Sequence, residues 1–158
     1  MITFQRDSAK FTYRVAGVVV HQERVLLMSG KEIDFWFLPG GRAELGETAA
    51  DTLKREMYEE LGVTIQVGRL LWVAENFFSH NGLEQHEVGF YFLMTLPPDS
   101  KLLAKSAPMP VVEPGANLFC QWHTLSSVID LPLYPVFLRS ALQALPPYPV
   151  HIVESQRV

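Results

Sequence analysis

Three glutamates are the side chains of this sequence best placed to do chemistry. Glu56, Glu59 and Glu60 are spaced three and four residues apart, which puts their carboxylates on one face of a helix. Like charges at this spacing cost about 0.2–0.5 kcal/mol per pair. A hard cation such as Mg²⁺ reverses this cost because it prefers oxygen ligands from carboxylates, water and substrate phosphates. An acidic run is also typical of a plain solvated helix face, so its neighbours must decide between the two interpretations.

The neighbouring residues favour a functional site. A Pro39-Gly40-Gly41 turn precedes the helix and brings backbone next to the acidic face. Arg55 carries a planar guanidinium that binds carboxylates in a bidentate manner, and Glu47 is its predicted partner across the junction of loop and helix. We predict that this pair braces the acidic face.

The elements that must position these groups alternate between strands and helices. Apolar and β-branched runs predict strands over residues 13–20, 25–28, 35–38, 70–78, 86–96 and 118–123. An Asn-Gly turn predicts a hairpin between the fourth and fifth strands. Helices are predicted over residues 48–61, with Thr48 as N-cap and Gly62 as the stop, and over residues 135–145, with a proline at the start. This order predicts an α/β domain with a mixed sheet.

Length and composition narrow the class of protein. The chain has 158 residues, 48% hydrophobic and 19% charged, which excludes disorder as its main state and fits one domain over residues 1–158. A net charge of −4 argues against binding to duplex nucleic acid. The lone cysteine, Cys120, cannot form an internal disulfide or a thiolate zinc site, and we interpret it as a small buried hydrophobe. The first residues lack the apolar core of a secretory signal and the apolar runs are too short to cross a bilayer, so we expect a cytoplasmic protein without membrane partners.

Residues 41–63 resemble the Nudix box, G-x5-E-x7-R-E-U-x-E-E-x-G-U, in which U is a bulky aliphatic residue. The sequence matches every fixed position with Gly41, Glu47, Arg55, Glu56, Glu59, Glu60 and Gly62, and it has Met57 and Val63 at the two U positions. The fixed residues would coincide by chance in such a chain with a probability on the order of 10⁻⁶. The strand order on both sides of the box is also similar to that of the Nudix family.

The resemblance implies a Nudix-type α/β/α sandwich that hydrolyses a nucleoside diphosphate linked to another moiety, with Mg²⁺ or Mn²⁺ as cofactor. By position, Glu56 and Glu60 would be the principal metal ligands, and Glu59 a further ligand or a water-orienting carboxylate. The carbonyl of Gly40 would complete the metal shell, and Arg55 would orient the glutamates. A homodimer is common among similar proteins.

The general base is left open between Glu113, Glu87 and a glutamate of the box. Glu113 lies in the proline-rich segment of residues 97–115, where several Nudix proteins carry a further metal-binding or basic glutamate. We predict that this segment is a lid that orders when nucleotide and Mg²⁺ bind together and brings Glu113 towards the metal. Glu87 begins a strand that should run near the helix. Each glutamate has the alternative of being an ordinary surface carboxylate.

Aromatic side chains offer a surface for a nucleobase. Base stacking tolerates any base, although aromatic residues at strand periodicity more often belong to the core. The candidates are Phe35, Trp36, Phe77, Phe78 and Tyr91.

Three other functions share parts of this pattern. An isopentenyl diphosphate isomerase-like protein has the same fold but needs a catalytic cysteine early in the chain, whereas Cys120 is late. A catalytically silent Nudix-fold module that binds nucleotides or regulates a partner usually lacks box glutamates, and this sequence has them all. RNA decapping is disfavoured by the net charge of −4. Candidate substrates are nucleoside triphosphates, nucleotide sugars, ADP-ribose and dinucleoside polyphosphates.

Overall fold

The computed structural model describes residues 1–156. These residues form strands, one long helix and three short helices. The strands are β1 (Thr3–Arg6), β2 (Ala9–Val18), β3 (Val20–His21), β4 (Arg24–Gly30), β5 (Gly40–Arg42), β6 (Gln66–His80), β7 (Leu83–Thr95), β8 (Met109–Pro110), β9 (Leu118–Thr124) and β10 (Val150–Ser155). The helices are α1 (Ala49–Leu61), α2 (Lys101–Ala104), α3 (Leu125–Val128) and α4 (Leu138–Ala141). The single domain predicted from the sequence runs to Val158, and residues 157–158 lie outside the described part.

The strands form two sheets, of which the larger is mixed. Its order is β1-β2-β7-β6-β10, with β5 also paired to β2. β2 runs parallel to β7, and β10 runs parallel to β6, whereas β6 and β7 are antiparallel. The smaller sheet has the order β3-β4-β9-β8. The predicted α/β class with a mixed sheet is confirmed.

Alternate residues of the strands enter two separate cores, as the period of two in a strand requires. In β4, Leu26 belongs to the first core and Leu27 to the second. α1 covers the first core with Leu53. α3 and α4 cover the second core with Val128 and Leu138. The result is the α/β/α layering that the resemblance implied.

α1 begins and ends where the sequence predicts. The Thr48 side chain accepts a hydrogen bond from the Asp51 N–H, and Gly62 follows the helix with a left-handed φ of 65°. Leu53 and Met57 are fully buried against the sheet. This packing fixes the rotation of α1 and thereby sets where its acidic residues point.

The β6–β7 hairpin extends further than the sequence indicated. Asn81 and Gly82 have φ values of 50° and 75°, as a tight hairpin turn requires. The predicted strands over residues 70–78 and 86–96 become Gln66–His80 and Leu83–Thr95. The hairpin predicted within residues 13–28 is present only as the short pair of β3 with β4, whereas β2 belongs to the larger sheet.

Two predicted elements are corrected. Residues 35–38 form no strand, because only Trp36 and Phe37 make isolated bridges, to Leu133 and Met28. The helix predicted over residues 135–145 is limited to α4. The stretch before α4 is a turn in which the Leu138 N–H donates to the Pro135 carbonyl and the Arg139 N–H to the Val136 carbonyl. The Glu154 carboxylate accepts hydrogen bonds from the N–H groups at positions 136 and 137, which have no partner within the helix.

Segment 97–115 is more structured than a plain loop. It contains α2 and the short strand β8, which pairs with β9. The Val112 N–H donates to the Glu60 carbonyl at 2.7 Å, and the Trp122 indole donates to the Leu102 carbonyl at 2.8 Å. The segment is therefore attached to α1 and to the smaller sheet, and its ordering by a bound ligand stays a prediction.

The sequence analysis did not predict β1 and β10. β10 extends the sheet from Val150, opposite Trp72, to Ser155, opposite Phe77. β10 contains the β-branched residues Val150, Ile152 and Val153, a strand signal that the sequence analysis did not use. In the described part of the chain, no helix has both the length and the apolar character needed to span a membrane.

Candidate active site

The acidic face of α1 changes from exposed to buried across its three glutamates. The Glu59 side chain is 52% exposed and the Glu56 side chain 16% exposed. Glu60 is buried, because it lies beside the apolar side of α1 that packs on the sheet. All three line one cavity.

Glu60 lacks the partners that a buried carboxylate needs. Its Oε2 atom is buried and has no hydrogen-bond partner among the described residues. Burial raises the pKa of the Glu60 carboxyl to about 7, the nearby charge of Arg14 opposes this rise, and the charges of Glu56 and Glu113 reinforce it. An ionised Glu60 therefore costs free energy unless a cation binds against it.

Arg55 uses all of its donors, as a guanidinium with five N–H groups can. Its Nε and Nη2 atoms donate to the two oxygens of Glu47 at 2.7 and 2.9 Å, which is the predicted bidentate pair. Nη1 donates to Glu56 Oε1 at 2.8 Å and to Glu59 Oε2 at 3.1 Å, and Nη2 also reaches the Arg42 carbonyl. Arg55 thus connects the loop, β5 and two of the acidic residues.

Glu47 is held in turn by the start of α1. Its Oε2 atom accepts hydrogen bonds from the buried Thr52 hydroxyl at 2.9 Å and from the Glu44 N–H at 3.1 Å. The hydrogen bonds from Arg55 are the main reason that the pKa of Glu47 falls to about 2. Glu47 therefore stays ionised at neutral pH, and its two oxygens fix the direction of the Arg55 guanidinium.

Two glycines allow the backbone of β5 to lie against the acidic face. A Cβ on Gly41 would lie 2.2 Å from the carboxyl carbon of Glu56. Gly40 has a φ of 146°, and a Cβ there would lie 2.1 Å from the Val15 carbonyl oxygen. No other residue type fits these positions without a shift of the backbone or of Glu56.

The cavity has a volume of about 1190 Å³, which is enough for a ligand of nucleotide size. The acidic face of α1 lines it together with β5, one face of the larger sheet and segments near residues 33–37 and 132–135. Its charged lining is mainly acidic. The acidic residues are Asp34, Glu44, Glu56, Glu59, Glu60, Glu87, Glu113 and Glu154, and the arginines are Arg14, Arg42 and Arg55.

The cavity brings together both candidates for the general base. Glu113 is close enough to Glu60 for its charge to raise the pKa of that carboxyl. Glu87 lies on β7, where burial raises its own pKa and the charge of Arg14 opposes the rise. Both glutamates line the cavity, and the identity of the general base stays a prediction.

The aromatic candidates separate into two groups. Phe35 and Phe78 line the cavity. Trp36 packs edge-on against His123, and Phe77 stacks on His86. Tyr91 is fully buried in the second core. Only the first two are placed to contact a ligand in this cavity.

The carboxylates of Glu56, Glu59 and Glu60 are oxygen donors of the kind that a hard divalent cation binds. These side chains do not converge on one point. Among residues 1–156, no three histidine, cysteine, aspartate or glutamate side chains are arranged to hold a metal ion. Arg55 draws one oxygen of Glu56 and one of Glu59 towards itself. The unpartnered buried oxygen of Glu60 is what a cation would satisfy. The ligand set of Gly40, Glu56, Glu59 and Glu60 stays a prediction.

Arg14 and Asn76 are two of the cavity residues that the sequence analysis missed. Arg14 donates to the Leu38 carbonyl at 3.0 Å, and the only signal for it is a single charge within an otherwise apolar run. Asn76 is 5% exposed and lies opposite Glu87 in the β6–β7 register. This pairing follows from the Asn-Gly turn, because counting back from His80 opposite Leu83 leads to it.

Comparison with known proteins gives matches to one family. A family model described as NUDIX domain matches residues 11–145. The chain is 41% identical over 63 residues to a MutT-like protein of Streptomyces ambofaciens, which covers 39% of this chain and 41% of that protein. It is 43% identical over 78 residues to diphosphoinositol polyphosphate phosphohydrolase 2 of Rattus norvegicus, which covers 47% of this chain and 42% of that protein. These matches span about two fifths of the length of each curated relative.

A solved structure supports the same arrangement of elements. The crystal structure of a MutT protein from Bacillus halodurans has a TM-score of 0.62 to this chain at 19% identity, and the match covers 89% of both chains. At that level of identity the likeness shows the fold alone.

Proposed function

The chain belongs to the Nudix family of hydrolases, and we propose that it cleaves a phosphoanhydride bond in a nucleoside diphosphate linked to another moiety, with Mg²⁺ or Mn²⁺ bound at the acidic face of α1. The family acts on small molecules of the nucleotide type. The observation that carries the proposal is the buried, unpartnered oxygen of Glu60 beside two further carboxylates. An ionised carboxylate buried in this way costs free energy, and a bound cation would offset that cost.

Glu56, Glu59 and Glu60 would hold the metal, with the Gly40 carbonyl as a further ligand. When bound there, a divalent cation neutralises the diphosphate and lowers the pKa of a water molecule. Arg55 holds oxygens of Glu56 and Glu59 at hydrogen-bond distance and so limits the directions in which these carboxylates point. It acts as a positioning residue in this scheme.

Glu113 is the general base in this proposal. Its position near Glu60 supports this role, because a base must lie within reach of the attacking water. It accepts the proton of the water as the oxygen attacks phosphorus, and the bond from phosphorus to the bridging oxygen breaks. Arg14 and Arg42 line the same cavity and can bind non-bridging phosphate oxygens.

A panel of nucleotides tests the proposal. It contains nucleoside triphosphates, nucleotide sugars, ADP-ribose and dinucleoside polyphosphates, each assayed for released phosphate, pyrophosphate or nucleoside monophosphate with Mg²⁺, with Mn²⁺ and with a chelator. We expect hydrolysis of at least one member with a metal and its loss with the chelator. Binding without hydrolysis across the panel would instead support the catalytically silent module.

A further inference from the structure

One face of the larger sheet changes from apolar to polar where it forms the floor of the cavity. Trp72 and Tyr91 on this face are buried in the second core. Further along the same strands the face presents Glu87, Asn76 and Glu154, which are opposite one another across β7, β6 and β10. Residues that pair in register point to the same side of a sheet, so these three side chains form one row. All three line the cavity.

Asn76 is buried without the partner that its amide needs. It is 5% exposed, and its Oδ1 atom has no hydrogen-bond partner within the described residues. A buried amide oxygen without a hydrogen bond costs free energy, and an apolar side chain would fill the same space without that cost. The amide is therefore suited to a group that the fold itself does not supply.

Its two neighbours in the row have different roles. Glu154 is occupied, because its oxygens accept hydrogen bonds from the N–H groups of Val136 and Phe137 at 2.8 and 2.6 Å. Within residues 1–156, Glu87 makes no comparable hydrogen bond, and it shares the cavity floor with Asn76. The row thus offers an amide and a carboxyl side by side, and this pair matches a ligand edge with N–H donors next to an acceptor.

A nucleobase presents such an edge, with N–H donors next to an acceptor. The carboxyl groups of Glu87 and Glu154 in the same row disfavour an anionic group at this position. An aromatic surface is also present, since Phe78 follows Asn76 by two residues on the same face and Phe35 and Tyr134 line the same cavity. Eight acidic residues against three arginines also disfavour a multiply phosphorylated, base-free substrate, such as a diphosphoinositol polyphosphate.

We propose that Asn76 and Glu87 form the subsite that recognises the nucleobase of the substrate. This proposal rests on the proposed function, and it specifies the substrate as a nucleotide whose base enters the cavity floor. Asn76 pairs with an N–H and an acceptor of the base, and Glu87 accepts or shares an adjacent N–H. The diphosphate then extends towards the acidic face of α1.

Binding measurements without turnover test this subsite. The probes are AMP, GMP, CMP, UMP and ribose 5-phosphate, titrated by calorimetry into the wild type, Asn76→Leu, Glu87→Gln and the control Gln66→Leu, which removes an exposed amide from the start of the same strand. We expect the wild type to bind at least one nucleoside monophosphate about tenfold or more tightly than ribose 5-phosphate. Asn76→Leu should abolish this preference and leave ribose 5-phosphate binding unchanged, whereas Gln66→Leu should leave both unchanged.

Glu87→Gln keeps the test decisive if Asn76→Leu fails to fold. Replacing a carboxyl with an amide changes which N–H and acceptor groups are matched, so the order of affinity among the four monophosphates should change by about tenfold. The proposal is overturned if the wild type does not prefer any monophosphate over ribose 5-phosphate, or if the folded variants keep the wild-type preference and order. Hydrolysis is measured separately from binding. Base binding without hydrolysis contradicts only the proposed function. Hydrolysis with an unchanged base preference in the variants contradicts only the subsite.

Discussion

Replacing Glu60 with glutamine should stabilise the metal-free protein above neutral pH while removing its hydrolytic activity. The pKa of the folded Glu60 carboxyl is about 7, against an ordinary value of 4.5. The folded protein therefore holds this proton more tightly than the unfolded chain does. In the absence of metal, the contribution of Glu60 to stability should fall as the pH rises from about 4.5 to about 7 and then remain level. At 1.36 kcal/mol per pKa unit, the loss is about 3 kcal/mol above pH 7.

Thermal melting in EDTA measures this effect. For a domain of this size, about 3 kcal/mol corresponds to a change in Tm of roughly 6–12 °C. Glu60→Gln should melt higher than the wild type by that amount at pH 8, and the two proteins should melt together near pH 4.5. Glu59→Gln is the matched control, because the Glu59 side chain is 52% exposed and its loss should change the Tm little at either pH. Mg²⁺ should raise the Tm of the wild type more than that of Glu60→Gln.

Two results would refute this reasoning. If Glu60→Gln melts at or below the wild-type temperature at pH 8 in EDTA, Glu60 is not a destabilising buried charge. If the variant turns over substrate at the wild-type rate with saturating Mg²⁺, Glu60 is not a metal ligand.

Three further predictions concern neighbouring residues. Arg55→Lys should lose both activity and thermal stability, because a lysine cannot copy the bidentate pair; normal melting with normal turnover would contradict the brace. Glu113→Gln should lower kcat by about 10²-fold with little change in KM, whereas Glu87→Gln should mainly raise KM. Steady-state kinetics measures both constants, and the reverse pattern would identify Glu87 on β7 as the general base. Gly41→Ala should displace the Glu56 carboxylate, which a Cβ would approach to 2.2 Å, so Mg²⁺ should protect the variant less in melting experiments; equal protection would show that the close approach is unimportant.

The catalytic helix was predictable because its signals are local. Thr48, Gly62 and the spacing of the glutamates lie within one contiguous stretch, and α1 begins and ends as they indicate. The Arg55–Glu47 pair was also predictable, since its partners are 8 positions apart and are separated only by the N-cap and first turns of α1. In contrast, the contact of Glu154 with the start of α4 was not predictable, because Glu154 reaches it from a strand distant in sequence.

The floor of the cavity was not predicted because it depends on strand pairing. Asn76 and Glu87 are adjacent only through the register of the β6–β7 hairpin. The Asn-Gly turn contained the information for this pair, but Glu154 joins the row through the parallel pairing of β10 with β6, which no local signal specifies. Arg14 is a lone charge in an apolar run of the sequence. Only the folded structure places it near the carboxyl groups of Glu60 and Glu87.

The central claim is that the carboxylates of α1 hold the metal that hydrolysis requires. Its most direct test is the turnover of the best nucleotide of the panel by Glu56→Gln at saturating Mg²⁺, with Asp51→Asn on the same helix as control. We predict that Glu56→Gln folds normally and loses at least about 10²-fold in kcat, while Asp51→Asn retains wild-type turnover. Wild-type turnover by a folded Glu56→Gln would contradict the claim.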